Sequence, residues 1–129
     1  MSLNTPSIFR LIVPVSDPED AVAFYCELLG IEGRAVGGGR TYFDCGGVIL
    51  ALLQGNTPLP DYIYFSVGDL EAVFERAKSL DCLSKADVHG EPAGEIVVRP
   101  WRERSFYVSD PWRNGLCFVD EKTIFTGRR

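Results

Sequence analysis

Residues able to do chemistry are few in this chain and widely spread. The four cysteines, Cys26, Cys45, Cys82 and Cys117, form no CxxC pair, so neither a zinc knuckle nor a thioredoxin-type motif can be written. Reduced thiols in a cytoplasmic setting are the simplest expectation. The single histidine, His89, lies in the polar segment Lys85 to Gly94, and a lone loop histidine reads as solvated rather than as a ligand. Gly37 to Gly39 is a loop and no phosphate cradle, because no lysine and helix start follow it. Pro100-Trp101-Arg102-Glu103-Arg104 is the richest run. An aromatic beside alternating charges can form a lip that stacks a planar ligand, with Trp112 adding another face. Equally, Trp101 can anchor a dimer interface with the charges as its solvated rim.

Composition bounds what such groups can serve. At 129 residues the chain has the length of one domain, and 18 acidic against 13 basic residues give a net charge of −5. That balance disfavours a nucleic-acid partner and leans toward neutral or cationic ones. No run approaches the ~20 apolar residues of a membrane span, and the opening MSLNTPS has no basic-then-apolar leader pattern. The closing Gly-Arg-Arg is too short for a nucleic-acid tail.

The elements that must position these groups follow from periodicity. Ile8 to Val15 is a β-branched apolar run ending near Pro14, which suits a strand end or edge. Ser16 and Asp17 offer N-caps, Pro18 suits the first helical turn, and Glu19 and Asp20 favour the positive end of the helix dipole. Ala21, Phe24, Tyr25, Leu28 and Leu29 then recur at helical spacing until Gly30. Thr41 to Asp44 and Val48 to Leu53 read as strands joined by Cys45-Gly46-Gly47, and Gln54 to Pro60 as a linker.

The same order then returns. Tyr62 to Val67 is a strand, and Asp69 precedes the helical pattern of Leu70, Val73, Phe74, Ala77 and Leu80. Ile96 to Arg99 starts a set of strands ending in a hairpin, Arg104 to Asp120, whose turn is built from Asp110, Pro111, Asn114 and Gly115, with Gly115 expected to take the positive φ. Asp17 and Asp69 hold matching places, so the chain is an α+β protein of two βαβββ modules, one spanning residues 8–54 and the other 61–121.

These residues resemble the vicinal oxygen chelate superfamily, the group of glyoxalase I, extradiol dioxygenases and bleomycin-resistance proteins. The resemblance runs from Ile8 to Gly127 and is carried by VSDPEDAVAFYCELLG at 15 to 30, YFDCGGVILALL at 42 to 53, IYFSVGDLEAVFERA at 63 to 77, and ERSFYVSDPWRNGLCFVDE at 103 to 121. It implies curled mixed sheets forming a cleft, commonly completed by a homodimer partner. Members with metal chemistry carry a histidine, glutamine or glutamate on the first strand of each module and a glutamate after the DPxGN turn.

Carried over position by position, that ligand set is missing here. Seven residues before Asp17 stands Arg10, seven before Asp69 stands Tyr62, and seven beyond Asp110 stands Cys117. A guanidinium has no lone pair to give. The remaining slot falls in Val48 to Leu53, which holds no ligand-type side chain, and a register slip offers only Asp61. No metal and no other cofactor is therefore expected.

Arg10, Tyr62 and Cys117 face the cleft if the family register holds, since alternate strand positions share a face. Arg10 can clamp a carboxylate or stack on a planar ring, or it can merely ion-pair where the old site was. Tyr62 can stack and hydrogen-bond at once; for Cys117, packing competes with ligand contact. The expected site is Arg10, Tyr62, Trp101, Trp112 and Cys117, holding a planar or aromatic small molecule without a metal, with the acidic balance suiting a cationic one. The alternative is a lyase, isomerase or dioxygenase-like enzyme with a non-standard site using Tyr62 with Asp61 or Glu103.

Overall fold

The computed structural model describes residues 5–128; the first four residues of the N-terminal segment and the last residue of the Gly-Arg-Arg end lie outside them. The chain divides between Pro58 and Leu59 into two compact units. In the first, β1 (Arg10–Val15) leads into α1 (Pro18–Leu29), followed by β2 (Arg34–Gly37), β3 (Arg40–Cys45) and β4 (Val48–Gln54). In the second, β5 (Ile63–Val67) leads into α2 (Leu70–Ser79), a small hairpin of β6 (Asp87–Val88) and β7 (Glu91–Pro92), then β8 (Val97–Val98), β9 (Arg104–Ser109) and β10 (Gly115–Asp120). The main sheets have the orders β1-β4-β3-β2 and β5-β10-β9-β8, the same topology twice. In each, the strand before the helix pairs parallel with the last strand of its unit and the rest pair antiparallel.

Matching aspartates start both helices. The Asp17 carboxylate accepts the Asp20 N–H at 3.2 Å and Asp69 accepts the Ala72 N–H at 3.1 Å, each satisfying a donor that the first helical turn leaves open. Gly30, at φ 71°, closes α1 in the left-handed conformation that a residue without a Cβ adopts most cheaply.

The helices bury one face of each sheet. Under α1 lie Val13, Val15, Phe43, Leu50 and Leu52, and the α1 residues Ala21, Phe24, Tyr25 and Leu28 are buried. In the second unit Phe118 stacks between Phe65 and Phe106, with ring centroids 5.0 and 5.5 Å away, and Phe74 of α2 meets Phe106 edge-on at 5.2 Å. The opposite faces differ. Arg10, Ile12 and Tyr42 are only partly covered or exposed in the first unit, whereas Tyr107, Cys117 and Val119 are almost wholly buried in the second.

Four local features depart from the expectations. β2 lies in a stretch with no strand periodicity, and the short hairpin β6–β7 lies inside the segment read as a polar loop. In the β9–β10 turn the positive φ belongs to Arg113, at 69°, and not to Gly115. A glycine is needed at 115 for space: a Cβ there would stand 2.4 Å from the Tyr62 ring. Finally, the strand expected over Ile96 to Arg99 shrinks to Val97–Val98, because Arg99 leaves the ladder and turns its side chain inward.

Candidate functional site

The open face of the second sheet carries Tyr64 and Ser66 from β5, Ser105 and Tyr107 from β9, and Cys117 and Val119 from β10, by register. A cover of residues 82–95 closes part of it. Ser109 N–H donates to Cys82 O, Ser84 N–H to Tyr107 O and Tyr107 N–H to Ala93 O, at 2.8 to 3.0 Å. These bonds pair off the outer edge of β9, which would otherwise offer unmatched donors and acceptors. Val88 and Ala93 then press on Tyr107, Cys117 and Val119 as a small apolar cluster.

Arg99 ties this cover down. It is only 2% exposed. Its Nε donates to Ser105 Oγ at 3.1 Å, Nη1 to Pro92 O at 3.5 Å, and Nη2 to Ser105 O, Glu95 O and Ala93 O at 3.1, 3.2 and 3.5 Å. The guanidinium carbon lies 5.1 Å from the Tyr107 ring centroid. A buried charge is tolerable when fully hydrogen-bonded, and here five acceptors and an aromatic face replace water.

Beyond the cover the face opens into a hollow of about 530 Å³. Its walls are Tyr64, Trp101, Val119, Ile124 and Phe125, and its polar groups are Ser66 and Glu103. The tight reversal between β8 and β9 sets the last pair: Arg99 N–H bonds to Glu103 O and Arg102 N–H to Arg99 O, both at 2.8 Å, with Arg102 at φ 75°. This brings Trp101 Nε1–H to Glu103 Oε1 at 2.7 Å. The Trp101 ring also meets His89, with ring centroids 5.0 Å apart and steeply inclined planes. After β10 the chain makes a short 3₁₀ turn (Glu121–Thr123), Thr123 Oγ1 accepts the Arg104 N–H at 3.0 Å, and Phe125 N–H reaches Glu103 Oε2 at 2.9 Å. Arg104 itself pairs with Glu71 and Asp120.

Of the five expected site residues, Trp101 lines this hollow. Tyr62 lies edge-on to Tyr107 at 4.9 Å and lines a different cavity, of about 570 Å³, beside Asp61, Lys85 and Arg113. Trp112 is half-buried in the β9–β10 turn and lines neither. Cys117 lies on the expected face, and the cover leaves it 0% exposed. Arg10 belongs to the first unit, with its guanidinium 5.0 Å from the Phe9 ring, 5.8 Å from that of Tyr42, and 3.3 Å from the Tyr42 hydroxyl. No carboxylate pairs with it among the described residues. Tyr64, Ile124 and Phe125 were not foreseen. Tyr64 was findable, two residues from Tyr62 and hence on its face; Phe125 follows the last strand and carries no periodic signal.

The buried thiol and phenol are electrostatically quiet. Burial pushes the Cys117 thiol up to about 11, outweighing hydrogen bonds with Ser105 and Tyr107 and the charge of Arg99, which pull the other way. Burial, then the hydrogen bond with Tyr64, also raises the Tyr107 phenol. Cys117 is accordingly expected to resist iodoacetamide at pH 8 in the native protein and to react once denaturant is added, because the thiolate is the nucleophile and is both scarce and covered. Native labelling of Cys117 as fast as an exposed thiol, read by peptide mass, would show that the cover opens freely. The native state holds this proton more tightly than the unfolded chain does. The associated stability is therefore present below the ordinary 9.0 and lost as pH climbs toward about 11.

The family model of the Glyoxalase/Bleomycin resistance protein/Dioxygenase superfamily matches residues 7–118, and the chain belongs to that superfamily. Among solved structures it is similar to an oxidase, ChaP-H2, at 24% identity over 90% of this chain and 94% of the other, with a TM-score of 0.75. It is likewise similar to the bleomycin resistance determinant encoded on the transposon Tn5, at 16% identity, 91% and 99% coverage and a TM-score of 0.69. A lactoylglutathione lyase from Agrobacterium tumefaciens matches at 21% identity, 92% and 96% coverage and a TM-score of 0.67. At these identities the likeness is one of fold. No curated protein matches the chain.

The metal that some members of the superfamily carry does not fit the residues here. A guanidinium stands at the first position, Tyr62 is packed against Tyr107 and Gly115, Cys117 is sealed off with its proton held, and β4 presents Ile49, Ala51 and Leu53 on its open face. Among the described residues, no three His, Cys, Asp or Glu side chains come together as a ligand group.

Proposed function

We propose that this protein is a metal-free small-molecule binding protein of the bleomycin-resistance type, holding a planar or aromatic ligand on the open face of its second module. The observation that carries this is the hollow itself, whose size suits a small ligand and whose walls combine Tyr64, Trp101 and Phe125 with one carboxylate. Arg10, resting on Phe9 and Tyr42 without a carboxylate partner among the described residues, supports a second contact surface in the first module. A lyase or isomerase would need a group poised to exchange protons near neutrality, and the Tyr107 phenol and Cys117 thiol are driven away from that range.

We take the working form to be a cytoplasmic homodimer without a nucleic-acid or membrane partner. Ile8 and Phe9, 71% and 59% exposed, are natural contacts for a second copy. Four free cysteines suit a reducing compartment, and no helix among the described residues is long and apolar enough to cross a membrane. Native mass spectrometry of gently purified protein, followed by titration with a panel of aromatic compounds, tests the proposal. A dimer that retains or saturably takes up a planar organic molecule is expected. A stoichiometric divalent ion, or no uptake across the panel, would overturn it.

A further inference from the structure

We infer that the hollow selects a flat organic cation that presents two N–H groups side by side, an amidinium, a guanidinium or a protonated amino-heteroaromatic. This rests on the hollow being a ligand site and adds the charge and shape of what enters it. Glu103 carries the inference. Its Oε1 accepts from Trp101 Nε1–H and its Oε2 from Phe125 N–H, so each carboxylate oxygen is held by a donor of its own. A carboxylate has about four acceptor positions. One on each oxygen is taken, and one on each oxygen is left for a partner with paired donors.

No lysine, arginine or histidine forms an ion pair with Glu103 among the described residues. Its neighbour in sequence, Arg104, is already committed to Glu71 and Asp120. A half-buried carboxylate held by two neutral donors stands beside three aromatic rings, and such rings attract cations through their faces. A sphere-like ammonium could use the charge alone. Aromatic walls and a carboxylate with an acceptor position left on each oxygen suit a planar fork, which gains bidentate hydrogen bonds and stacking together. Trp101 is held by its own bond to Glu103 and by its ring contact with His89, so its ring plane is set before a ligand arrives.

The test is calorimetric titration of the full chain with benzamidine, the neutral isostere benzamide and the anion benzoate, with the indole N–H resonance of Trp101 followed by NMR. Benzamidine is expected to bind at least tenfold more tightly than benzamide, benzoate not to bind, and the Trp101 Nε1–H signal to shift with benzamidine. E103Q keeps an oxygen for one of the two N–H donors and removes the charge, and is expected to bring benzamidine down to the affinity of benzamide. Should E103Q fail to fold, the comparison of the three probes on the unmodified protein decides the matter alone. Equal binding of all three would overturn the selectivity for cations while leaving the hollow a ligand site; binding with an unmoved Trp101 signal would put the probe outside the hollow and overturn the inference. Binding of none of them at millimolar concentration would sink this inference; if the wider aromatic panel fails as well, the ligand-site proposal falls with it.

Discussion

Arg99→Met is expected to destabilise the protein by about 3 kcal/mol and to loosen the cover over Cys117 before the rest of the fold gives way. Methionine fills much of the same volume, so cavity formation is a minor part of the loss. The hydrogen bonds decide it. Ser105 Oγ and the carbonyls of Ser105 and Ala93 lie in a buried environment and accept from the guanidinium, while Pro92 O and Glu95 O are closer to solvent. An orphaned buried acceptor costs roughly 1–3 kcal/mol, and water can rescue only the outer ones. Ala93 O keeps its bond from Tyr107 N–H, which holds the total below the sum of the parts.

Removing the charge also removes the cost of burying it, and that gain opposes the loss. In this site the charge is already solvated by five acceptors and the Tyr107 ring, so the gain is the smaller quantity. Arg99→Lys keeps the charge but offers three donors in place of a planar fork of five, and should recover only part of the stability. Urea denaturation gives the global figure; hydrogen exchange at the Tyr107 amide and iodoacetamide labelling of Cys117 give the local one. A midpoint within about 0.5 kcal/mol of the parent, with Cys117 still protected, would mean that Val88 and Ala93 hold the cover by packing alone.

The turn between β9 and β10 is the second point of large effect. Asp110 Oδ1 accepts the N–H groups of Trp112 and Asn114, both at 2.8 Å, and Oδ2 accepts Asn114 Nδ2 at 2.9 Å. Asn114 Oδ1 in turn accepts the Leu59 N–H at 2.9 Å, so the turn also fixes the chain entering β5. Asp110 is 3% exposed and Asn114 is fully buried. Asp110→Ala leaves these donors without the carboxylate and frees Arg113 from the network that holds its left-handed backbone, so a loss of about 3–4 kcal/mol is expected. Asp110→Asn keeps one acceptor oxygen but sets an NH2 against that of Asn114, and should fall between the two. The slope of the urea transition is expected to stay constant while its midpoint drops. If Asp110→Ala shifts the midpoint by less than about 1 kcal/mol, the backbone bonds from Asp110 N to Asn114 O and from Arg113 N to Asp110 O suffice to make the turn.

Both effects belong to short-range chemistry written into the chain, yet only one was visible there. Asp110, Pro111 and Asn114 announce a turn through their own backbone preferences. The turn forms where they place it, except that the left-handed position belongs to Arg113, while Gly115 leaves room for the Tyr62 ring. Arg99 gave no such sign. Its five acceptors come from residues 92 to 105, and their convergence depends on how the cover crosses the edge of β9.

The candidate site divides along the same line. The repeated order of strand, capped helix and strands follows from local signals: Asp17 and Asp69 as caps, helical spacing of apolar residues, and alternating strand faces. Those signals predict two βαβββ modules and place Arg10, Tyr62 and Cys117 on the sheet faces away from the helices, because each depends only on backbone geometry within a few residues. Which of these groups meets solvent is a matter of what lies on top. The segment read as a loop folds over Cys117 and seals it, and the chain after the last strand returns to set Phe125 against Glu103 and Trp101. Sequence alone therefore determined the two helices, the long strands that flank them, their order and the face each of their residues occupies, but not β2 or the β6–β7 hairpin. The tertiary structure decided exposure, and with it the site, because burial is set by contacts between segments far apart along the chain, and no local periodicity encodes which segment will cover which face.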